Sequence, residues 1–417
     1  MESLPLLSYS RIKMQSVNLV SIGLLSIVMS RFVSGKSKSD SSGTEHSPSK
    51  VRWKSTIDMI ENENYPVENV YVTTPDGYIL NIHRIPHAKS GRKNGKVAYL
   101  QHGASGSSSD WIYFGPKNSL GFILADEGYD VWLGNTRGNT YSRNHTILNP
   151  DTDVEFWHYT WHEMGVFDIP SIIDHILEKT GTDGVYYVGH SQGSTVFYVM
   201  ASMKPEYNKK IKTHISLAPI VYLSHLKSPI LRVLAASEKL FSELFRRAGV
   251  HELLPNRGDL VAIAKEVCRS IIGNVLCQNI LYMLVGFSPK QMNFNRVPLD
   301  HMPAGTGTKV FMHFIQEIRS KKFCQYDYGT SGNMKKYGQT SPPNYDLKKI
   351  TAPVYIIYSE NDMLYATEDI EKLFKELPNR QEKLLITDRL WGHLDFLYGK
   401  DAPKFVYNEI IRIFGQQ

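Results

Sequence analysis

The sequence predicts an α/β fold with a mostly parallel sheet and helices on both faces. Three observations support this: an N-terminal hairpin, an alternation of strand-like and helix-like segments, and a composition with 42% hydrophobic and 11% aromatic residues. Asn69 to His83 contains two alternating strands around a Pro-Asp-Gly turn, which is typical of a hairpin. The later strand-like runs cover 97–101, 129–133, 185–188, 213–218, 353–358 and 383–386.

The N-terminus differs from the rest of the chain. Two basic residues precede an apolar run from Val17 to Met29, which suits the core of a signal peptide and is shorter than a membrane span of about 20 residues. We expect cleavage after Gly35, so that residues 1–35 form a signal peptide, with an uncleaved membrane anchor as the alternative. Residues 36–50 are polar and predict a flexible linker, which leaves 51–417 as the folded domain.

The strand-like run 185–188 leads into the sequence GHSQG at 189–193, and a helix-like stretch follows. This is GxSxG in the strand-turn-helix context of a nucleophile elbow. Such a turn exposes the Ser191 hydroxyl for activation by a histidine, and glycines on either side avoid collisions with the neighbouring strand and helix. The alternative is that Ser191 only caps the helix. The sequence therefore predicts an α/β-hydrolase fold with Ser191 as the nucleophile.

In this fold the other two catalytic residues follow the serine along the chain, first an Asp or Glu and then a His. Glu360 and Asp362 come just after the run 353–358, at the edge where an open parallel sheet collects its functional groups. We choose Asp362 as the catalytic acid, with Glu360 as the competing candidate. The loop after 383–386 brings His393 to the same edge, where it would act as general base and then as general acid.

The oxyanion of a tetrahedral intermediate needs two donors, usually backbone N–H groups. We assign one to Gln192, the residue after the nucleophile, and the other to Ala104, in the loop after the run 97–101. The alternative function of this loop is phosphate binding. Neither this loop nor Gly305 to Lys309 has the sequence of a P-loop, so we expect no phosphate site.

A long interval, about 222–305, interrupts the alternation of strands and helices. Its helical patterns include Leu231 to Leu244 and Ala262 to Ile272. Its place after the nucleophile helix and the next strand predicts a helical cap over the active-site edge. We expect most of its apolar residues to pack the helices of the cap, and a minority to line an acyl-chain tunnel.

Charge and histidine spacing restrict the partners and cofactors. The formal net charge of +6 is dispersed along the chain, which argues against a nucleic-acid partner. His158 and His162 lie at helical spacing beside Glu163 but lack the HExxH order of a zinc site. We therefore expect no metal and no cofactor.

Three cysteines and one glycosylation sequon are relevant to the expected export of the chain. Cys268 and Cys277 are close enough in sequence to close one loop by a disulfide, which would leave Cys324 unpaired. The alternative is that all three are small buried hydrophobic residues. Asn144 begins an Asn-His-Thr sequon in a polar stretch that predicts an exposed loop, so we expect a glycan there in an exported chain.

Several motifs resemble those of the acid lipases, the family that includes gastric lipase, lysosomal acid lipase and many insect lipases. They span roughly residues 53–415 and are GHSQG at 189–193, Leu100-Gln101-His102-Gly103, Trp132 to Asn139, Glu155-Phe156-Trp157, Asp168-Ile169-Pro170, Pro303 to Thr306 and Gly392 to Phe396. Carried over position by position, the resemblance implies a triad and two oxyanion donors, namely Ser191, Asp362, His393, Gln192 and Ala104. The family has similarly close cysteines, and it commonly has leucine at the position of Ala104, where this chain would have a smaller acyl-pocket wall.

The resemblance implies a secreted serine lipase or esterase that hydrolyses triglyceride or cholesteryl ester at a lipid–water interface. A lysosomal location is the alternative to secretion. Two other functions compete with it: a small-ester carboxylesterase, which would share the catalytic residues and differ in the cap, and a non-catalytic, lipase-like lipid-binding protein. The presence of Ser191, Asp362 and His393 together argues against the non-catalytic protein, which would not need all three.

Overall fold

The computed structural model describes residues 54–257, 259–292 and 297–416. The expected signal peptide (1–35) and linker (36–50) lie outside the described residues. The described part of the chain forms an eight-stranded sheet with flanking helices and a separate pair of short strands. None of the helices in this part combines the length and the apolar character that a membrane crossing requires.

The predicted hairpin and all six predicted strands are present, with ends shifted by at most three residues. The strands of the described residues are β1 (Glu68–Thr73), β2 (Ile79–Ile85), β3 (Val97–Gln101), β4 (Asp130–Leu133), β5 (Val185–His190), β6 (Ile211–Leu217), β7 (Glu252–Leu253), β8 (Thr306–Gly307), β9 (Val354–Tyr358) and β10 (Arg380–Leu385). The order of the large sheet is β1-β2-β4-β3-β5-β6-β9-β10. The pairs β1–β2 and β2–β4 are antiparallel, and the other pairs of this sheet are parallel.

Helices cover the centre of the sheet on both faces, and β3, β5 and β9 are buried at every position. A strand covered on both faces needs an almost continuous apolar sequence, which accounts for the runs that reveal these strands in the sequence. Because β5, β6 and β9 are parallel neighbours, their carboxyl ends lie side by side. Residues that follow these strands therefore meet at one edge of the sheet.

The helices alternate with the strands as the sequence predicts. Their bounds in the described residues are α1 (Thr56–Asn62), α2 (Leu120–Asp126), α3 (Ile169–Thr180), α4 (Gln192–Met203), α5 (Pro229–Ala236), α6 (Glu238–Ala248), α7 (Asp259–Arg269), α8 (Ile271–Val285), α9 (Thr308–Ser320), α10 (Gly329–Tyr337), α11 (Thr367–Glu376), α12 (Asp395–Tyr398) and α13 (Asn408–Gly415). A single α-helical turn, Trp161–Glu163, and a π-helical turn, Met164–Asp168, lead into α3.

The structure corrects two helical segments of the predicted cap. The pattern from Leu231 to Leu244 covers two helices, α5 and α6, and the pattern from Ala262 to Ile272 crosses from α7 into α8. The breaks lie at Ser237 and Ser270. The Ser270 hydroxyl accepts a hydrogen bond from the Gly273 N–H at 3.1 Å and caps α8. Apolar spacing continues across such a break, so the pattern alone does not reveal it.

The segment between β6 and β9, residues 218–353, extends beyond the interval 222–305 because α9 and α10 also precede β9. We call residues 218–353 the insertion. Helix α9 packs against α5 and α6, so it belongs to the same helical layer as the first helices of the insertion.

A disulfide between Cys268 and Cys277 joins α7 to α8, with Cα atoms 5.7 Å apart, and Cys324 is a buried free cysteine.

A buried arginine ties three distant parts of the domain together. The Arg137 guanidinium, in the loop after β4, pairs with Asp168 at 2.6 Å and with Asp76 of the hairpin turn at 2.6 Å. It also lies 3.9 Å from the ring centroid of Tyr78. The side chains of Arg137 and Asp168 are 1% and 0% exposed, so each charge depends on the other for compensation. The motifs around Arg137 and Asp168 are two of those that resemble the acid lipases, and this buried ion pair gives both of them a structural role.

We predict that Arg137→Met lowers the free energy of unfolding by about 3–5 kcal/mol, because it leaves the Asp168 carboxylate buried without its partner. Denaturant unfolding of the purified protein measures this change. Arg246→Met is the control, because Arg246 pairs with Glu243 while its side chain is 70% exposed. We expect the control to unfold like the wild type. Equal, small losses in both variants would contradict the importance of the buried pair.

Candidate active site

Ser191 lies on a sharp turn between the central strand β5 and helix α4. Its backbone has φ 54° and ψ −121°, a conformation that non-glycine residues rarely adopt. The Ser191 N–H donates to the Leu217 carbonyl at the end of β6, at 2.9 Å. The turn is thus held by the neighbouring strand, and the side chain of Ser191 is 6% exposed. A strained backbone of this kind is typical of functional sites.

The two glycines of the GHSQG sequence allow close backbone contacts around this turn. A Cβ atom on Gly189 would lie 2.6 Å from the carbonyl carbon of Gly193. A Cβ atom on Gly193 would lie 2.2 Å from the carbonyl oxygen of Gln101, at the end of β3. Both distances are far below a van der Waals contact, so no side chain fits at either position. The helix α4 can therefore start directly above the sheet.

The loops after β9 and β10 bring Asp362 and His393 together. His393 Nδ1 and Asp362 Oδ2 are 2.6 Å apart, and both residues are buried. Asp362 Oδ1 accepts a further hydrogen bond from the Leu364 N–H at 2.8 Å, which fixes the carboxylate. Glu360, the competing acid, is exposed, and its backbone carbonyl accepts from Lys227 Nζ of the insertion.

His190 connects the His393 turn to the serine turn. His190 Nε2 donates to the carbonyl of His393 at 2.9 Å, and the two rings lie 4.8 Å apart. Burial holds the pKa of His190 well below its ordinary value, with a further contribution from His393, so the ring is neutral. Within the described residues, Ser191 and His393 are not joined by a hydrogen bond. A catalytic hydrogen bond of this kind often tightens only in the complex with substrate.

Ala104 lies in a turn that packs against Ser191. The Gly103 carbonyl accepts from His102 Nδ1 at 2.7 Å and from the Gly106 N–H at 3.1 Å, which closes the turn. A Cβ atom on Gly103 would lie 3.0 Å from Ser191 Cβ, so the turn and the nucleophile are in contact. In the part of the chain that the structure describes, the N–H groups of Ala104 and Gln192 donate no hydrogen bond. Both are therefore available to a ligand oxygen.

The part of the insertion between α8 and α9 holds this turn in place. The Ala304 N–H donates to the Ser105 carbonyl at 2.6 Å, and the Ala304 carbonyl accepts from the Thr140 N–H at 2.7 Å. Reasoning from the sequence did not assign a role to Ala304. Its motif, Pro303 to Thr306, appears only in the resemblance, and nothing local to it indicates that it contacts a loop about 200 residues earlier.

The remaining predicted residues lie apart from this edge. Asn144 is exposed on a loop, and its backbone carbonyl accepts from the Ile79 N–H at 2.9 Å. His158 is exposed, whereas His162 Nδ1 lies 2.8 Å from the Tyr345 hydroxyl. Among the described residues, no group of three or more His, Cys, Asp or Glu side chains could hold a metal ion.

Comparison with known families identifies the class of protein. The model of the alpha/beta hydrolase fold matches residues 99–400, and that of a partial alpha/beta-hydrolase lipase region matches residues 56–115. Together with the parallel sheet and the elbow, these matches define an α/β-hydrolase.

Sequence relatives place the chain in one family of the α/β-hydrolases. Gastric triacylglycerol lipase of Rattus norvegicus is 41% identical over 86% of this chain and 91% of that protein. Lipase 3 of Drosophila melanogaster is 40% identical over 85% and 91%, and lysosomal acid lipase/cholesteryl ester hydrolase of Macaca fascicularis is 40% identical over 85% and 89%. The chain belongs to the acid lipase family and is a carboxylic ester hydrolase.

Proposed function

We propose that this protein is a serine lipase that hydrolyses esters of neutral lipids, triglyceride or cholesteryl ester, at a lipid–water interface. The observation that carries the proposal is the buried pair of Asp362 and His393, beside a strained serine elbow and two free backbone donors. The relatives support the substrate class, because their names include a triacylglycerol lipase and a cholesteryl ester hydrolase.

In the proposed reaction, the Ser191 hydroxyl oxygen attacks the ester carbonyl carbon and its proton passes to Nε2 of His393. Asp362 accepts the hydrogen bond from Nδ1 and stabilises the imidazolium that forms. The N–H groups of Gln192 and Ala104 stabilise the oxyanion of the tetrahedral intermediate. The intermediate expels the alcohol, which takes the proton from His393, and leaves an acyl-serine. Water gives a proton to His393 and attacks the acyl carbon, and the resulting tetrahedral intermediate expels the Ser191 oxygen, which takes that proton back as the fatty acid is released.

We propose that the insertion caps this site and supplies the acyl-chain cleft. The end of its helix α8 contacts the catalytic edge directly, since the His393 N–H donates to the carbonyl of Val285 at 2.8 Å. Several apolar side chains of its helices are exposed to solvent, among them Leu240, Ile263, Ile272 and Val275. Apolar surface of this kind suits a lid that shields the site until it meets a lipid surface.

Ser191→Ala is expected to lower ester hydrolysis at least about 10³-fold with the fold intact, because the triad acts as a unit. Asp362→Asn should also cause a large loss, whereas Glu360→Gln should hydrolyse ester like the wild type. Steady-state kinetics on a soluble ester, with circular dichroism as the check on folding, measures these effects. Full activity in Ser191→Ala would overturn the mechanism, and the reverse pattern for the two acids would transfer the role to Glu360.

The specificity constant kcat/KM is expected to rise from acetate esters towards medium or long acyl esters. A buried methylene contributes about 0.8 kcal/mol, so each added methylene should raise kcat/KM by up to roughly fourfold until the cleft is filled. We also expect a higher rate on emulsified triglyceride than on monomeric substrate. Ala104→Leu tests the smaller pocket wall by shifting the preferred chain length. If acetate and butyrate esters are best and emulsions are not attacked, the protein is a small-ester carboxylesterase.

We further propose that the chain is exported, with secretion preferred to a lysosomal location. The apolar run from Val17 to Met29, the Cys268–Cys277 disulfide and the exposed sequon at Asn144 support export. The gastric and lysosomal names of the relatives are consistent with either destination.

Mass analysis of protein from the culture medium of eukaryotic cells should find a mature N-terminus near Lys36 and a glycan on Asn144, because both modifications belong to the secretory route. Asn144→Gln is the control and should lose the glycan mass alone. Non-reducing peptide mapping of the same sample should recover Cys268 and Cys277 in one linked pair. An intact Met1 on membrane-bound protein would instead support an uncleaved anchor.

A further inference from the structure

Residues 285–288, in the middle of the insertion, are bonded to both loops that carry the acid and the histidine. Helix α8 ends at Val285, whose carbonyl accepts from the His393 N–H at 2.8 Å. The next residue, Gly286, has φ 113°, and a Cβ atom there would lie 2.5 Å from the Asn361 carbonyl oxygen. Asn361 Nδ2 in turn donates to the Phe287 carbonyl at 2.9 Å. These contacts connect the insertion directly to the loops of Asp362 and His393.

One carboxyl group holds the two sides of this junction together. Asp395 Oδ2 accepts from the Gly392 N–H at 2.6 Å, across the turn that presents His393. The same oxygen accepts from the Ser288 hydroxyl of the insertion. Asp395 is fully buried, so both hydrogen bonds are shielded from water.

The environment of Asp395 favours its neutral form. Its second oxygen, Oδ1, has no hydrogen-bond partner among the described residues, and no salt bridge to Asp395 occurs there. Burial raises the pKa of Asp395 to about 7, outweighing the hydrogen bonds from Ser288 and Gly392, which lower it, and Asp388 and Asp362 raise it further. Asp395 also interacts electrostatically with Tyr282 of α8. His393 lies on the same turn as Asp395. Neither the two acids nor Tyr282 supplies the positive charge that an ionised Asp395 would need.

We propose that Asp395 is a positioning residue, which aligns His393 by joining its turn to Ser288 in the middle of the insertion. This proposal rests on the proposed role of His393 as the catalytic base. The neutral carboxyl accepts from the Gly392 N–H and the Ser288 hydroxyl through Oδ2. Ionisation places an uncompensated charge beside Asp362 and strains the turn. The chemistry of the site then depends on a group that touches neither the substrate nor the reacting atoms.

The sign of the pH effect follows from the direction of the pKa shift. The folded protein keeps Asp395 protonated at pH values where the unfolded chain has released the proton. Stability contributed by this group is therefore highest in acid and falls as the pH rises towards about 7. Above that pH the turn contains a buried carboxylate, so kcat should fall on the alkaline side. Asparagine at this position resembles the protonated carboxyl in shape and charge, and it does not titrate.

Three variants test the proposal: Asp395→Asn, Asp395→Leu and Ser288→Ala. Two measurements report the alignment of His393 and Ser191. They are the steady-state kinetics on a soluble butyrate ester between pH 4 and 9, and the rate of labelling by a fluorophosphonate. Asp369→Asn is the matched control, because Asp369 is also buried and accepts hydrogen bonds, from the backbone and the ring of His225. Ser191→Ala, measured in parallel, tests the proposed mechanism itself.

We expect Asp395→Leu to lower kcat and the labelling rate roughly tenfold to a hundredfold, with KM nearly unchanged, and Ser288→Ala to do so more weakly. Asp395→Asn should retain kcat in acid and move the alkaline fall to higher pH, whereas Asp369→Asn should leave the pH profile unchanged. An unshifted alkaline fall in Asp395→Asn, or wild-type kcat in a folded Asp395→Leu, would overturn the proposal. If Ser191→Ala remains active, the proposed mechanism fails instead.

Discussion

The close approach of helix α4 to strand β3 fixes the geometry on which the rest of the site depends. Gly193 stands so near the Gln101 carbonyl that a Cβ atom would lie 2.2 Å from it. The helix can begin directly after the strand only because that contact is permitted, and Ser191 then adopts its strained, positive φ. The elbow holds the serine above the centre of the sheet, where parallel neighbouring strands deliver the acid and the histidine.

The insertion is structurally part of the site as well as its proposed cover. Ala304, between α8 and α9, holds the turn of Ala104, and Val285 and Ser288 hold the turn of His393. Its beginning is bonded to the loop of Asp362, since the Ser228 N–H donates to the Met363 carbonyl at 2.7 Å. Movement of the whole insertion would therefore disturb the acid, the histidine and the oxyanion turn together. We expect a lid motion to be confined to helices between these anchors.

The sheet and the elbow are predictable from the sequence because their signals are local. A covered parallel strand needs a continuous apolar run, and a serine elbow needs glycines at fixed spacing, so both are visible in short windows. The junction around Asp395 is not predictable in this way. Its contact with Ser288 joins residues 107 positions apart, and that between His190 and His393 joins residues 203 apart. Neither serine nor aspartate carries a pattern that reveals such a partner.

A crystal structure of the protein after reaction with a phosphonate ester tests the central claim most directly. The adduct mimics the tetrahedral intermediate, so its phosphorus should be bonded to Ser191 Oγ and its phosphoryl oxygen should lie within hydrogen-bond distance of the N–H groups of Gln192 and Ala104. His393 Nε2 should contact an ester oxygen or Oγ, with Asp362 still bound to Nδ1. An adduct on another residue, or a phosphoryl oxygen directed away from both N–H groups, would contradict the account.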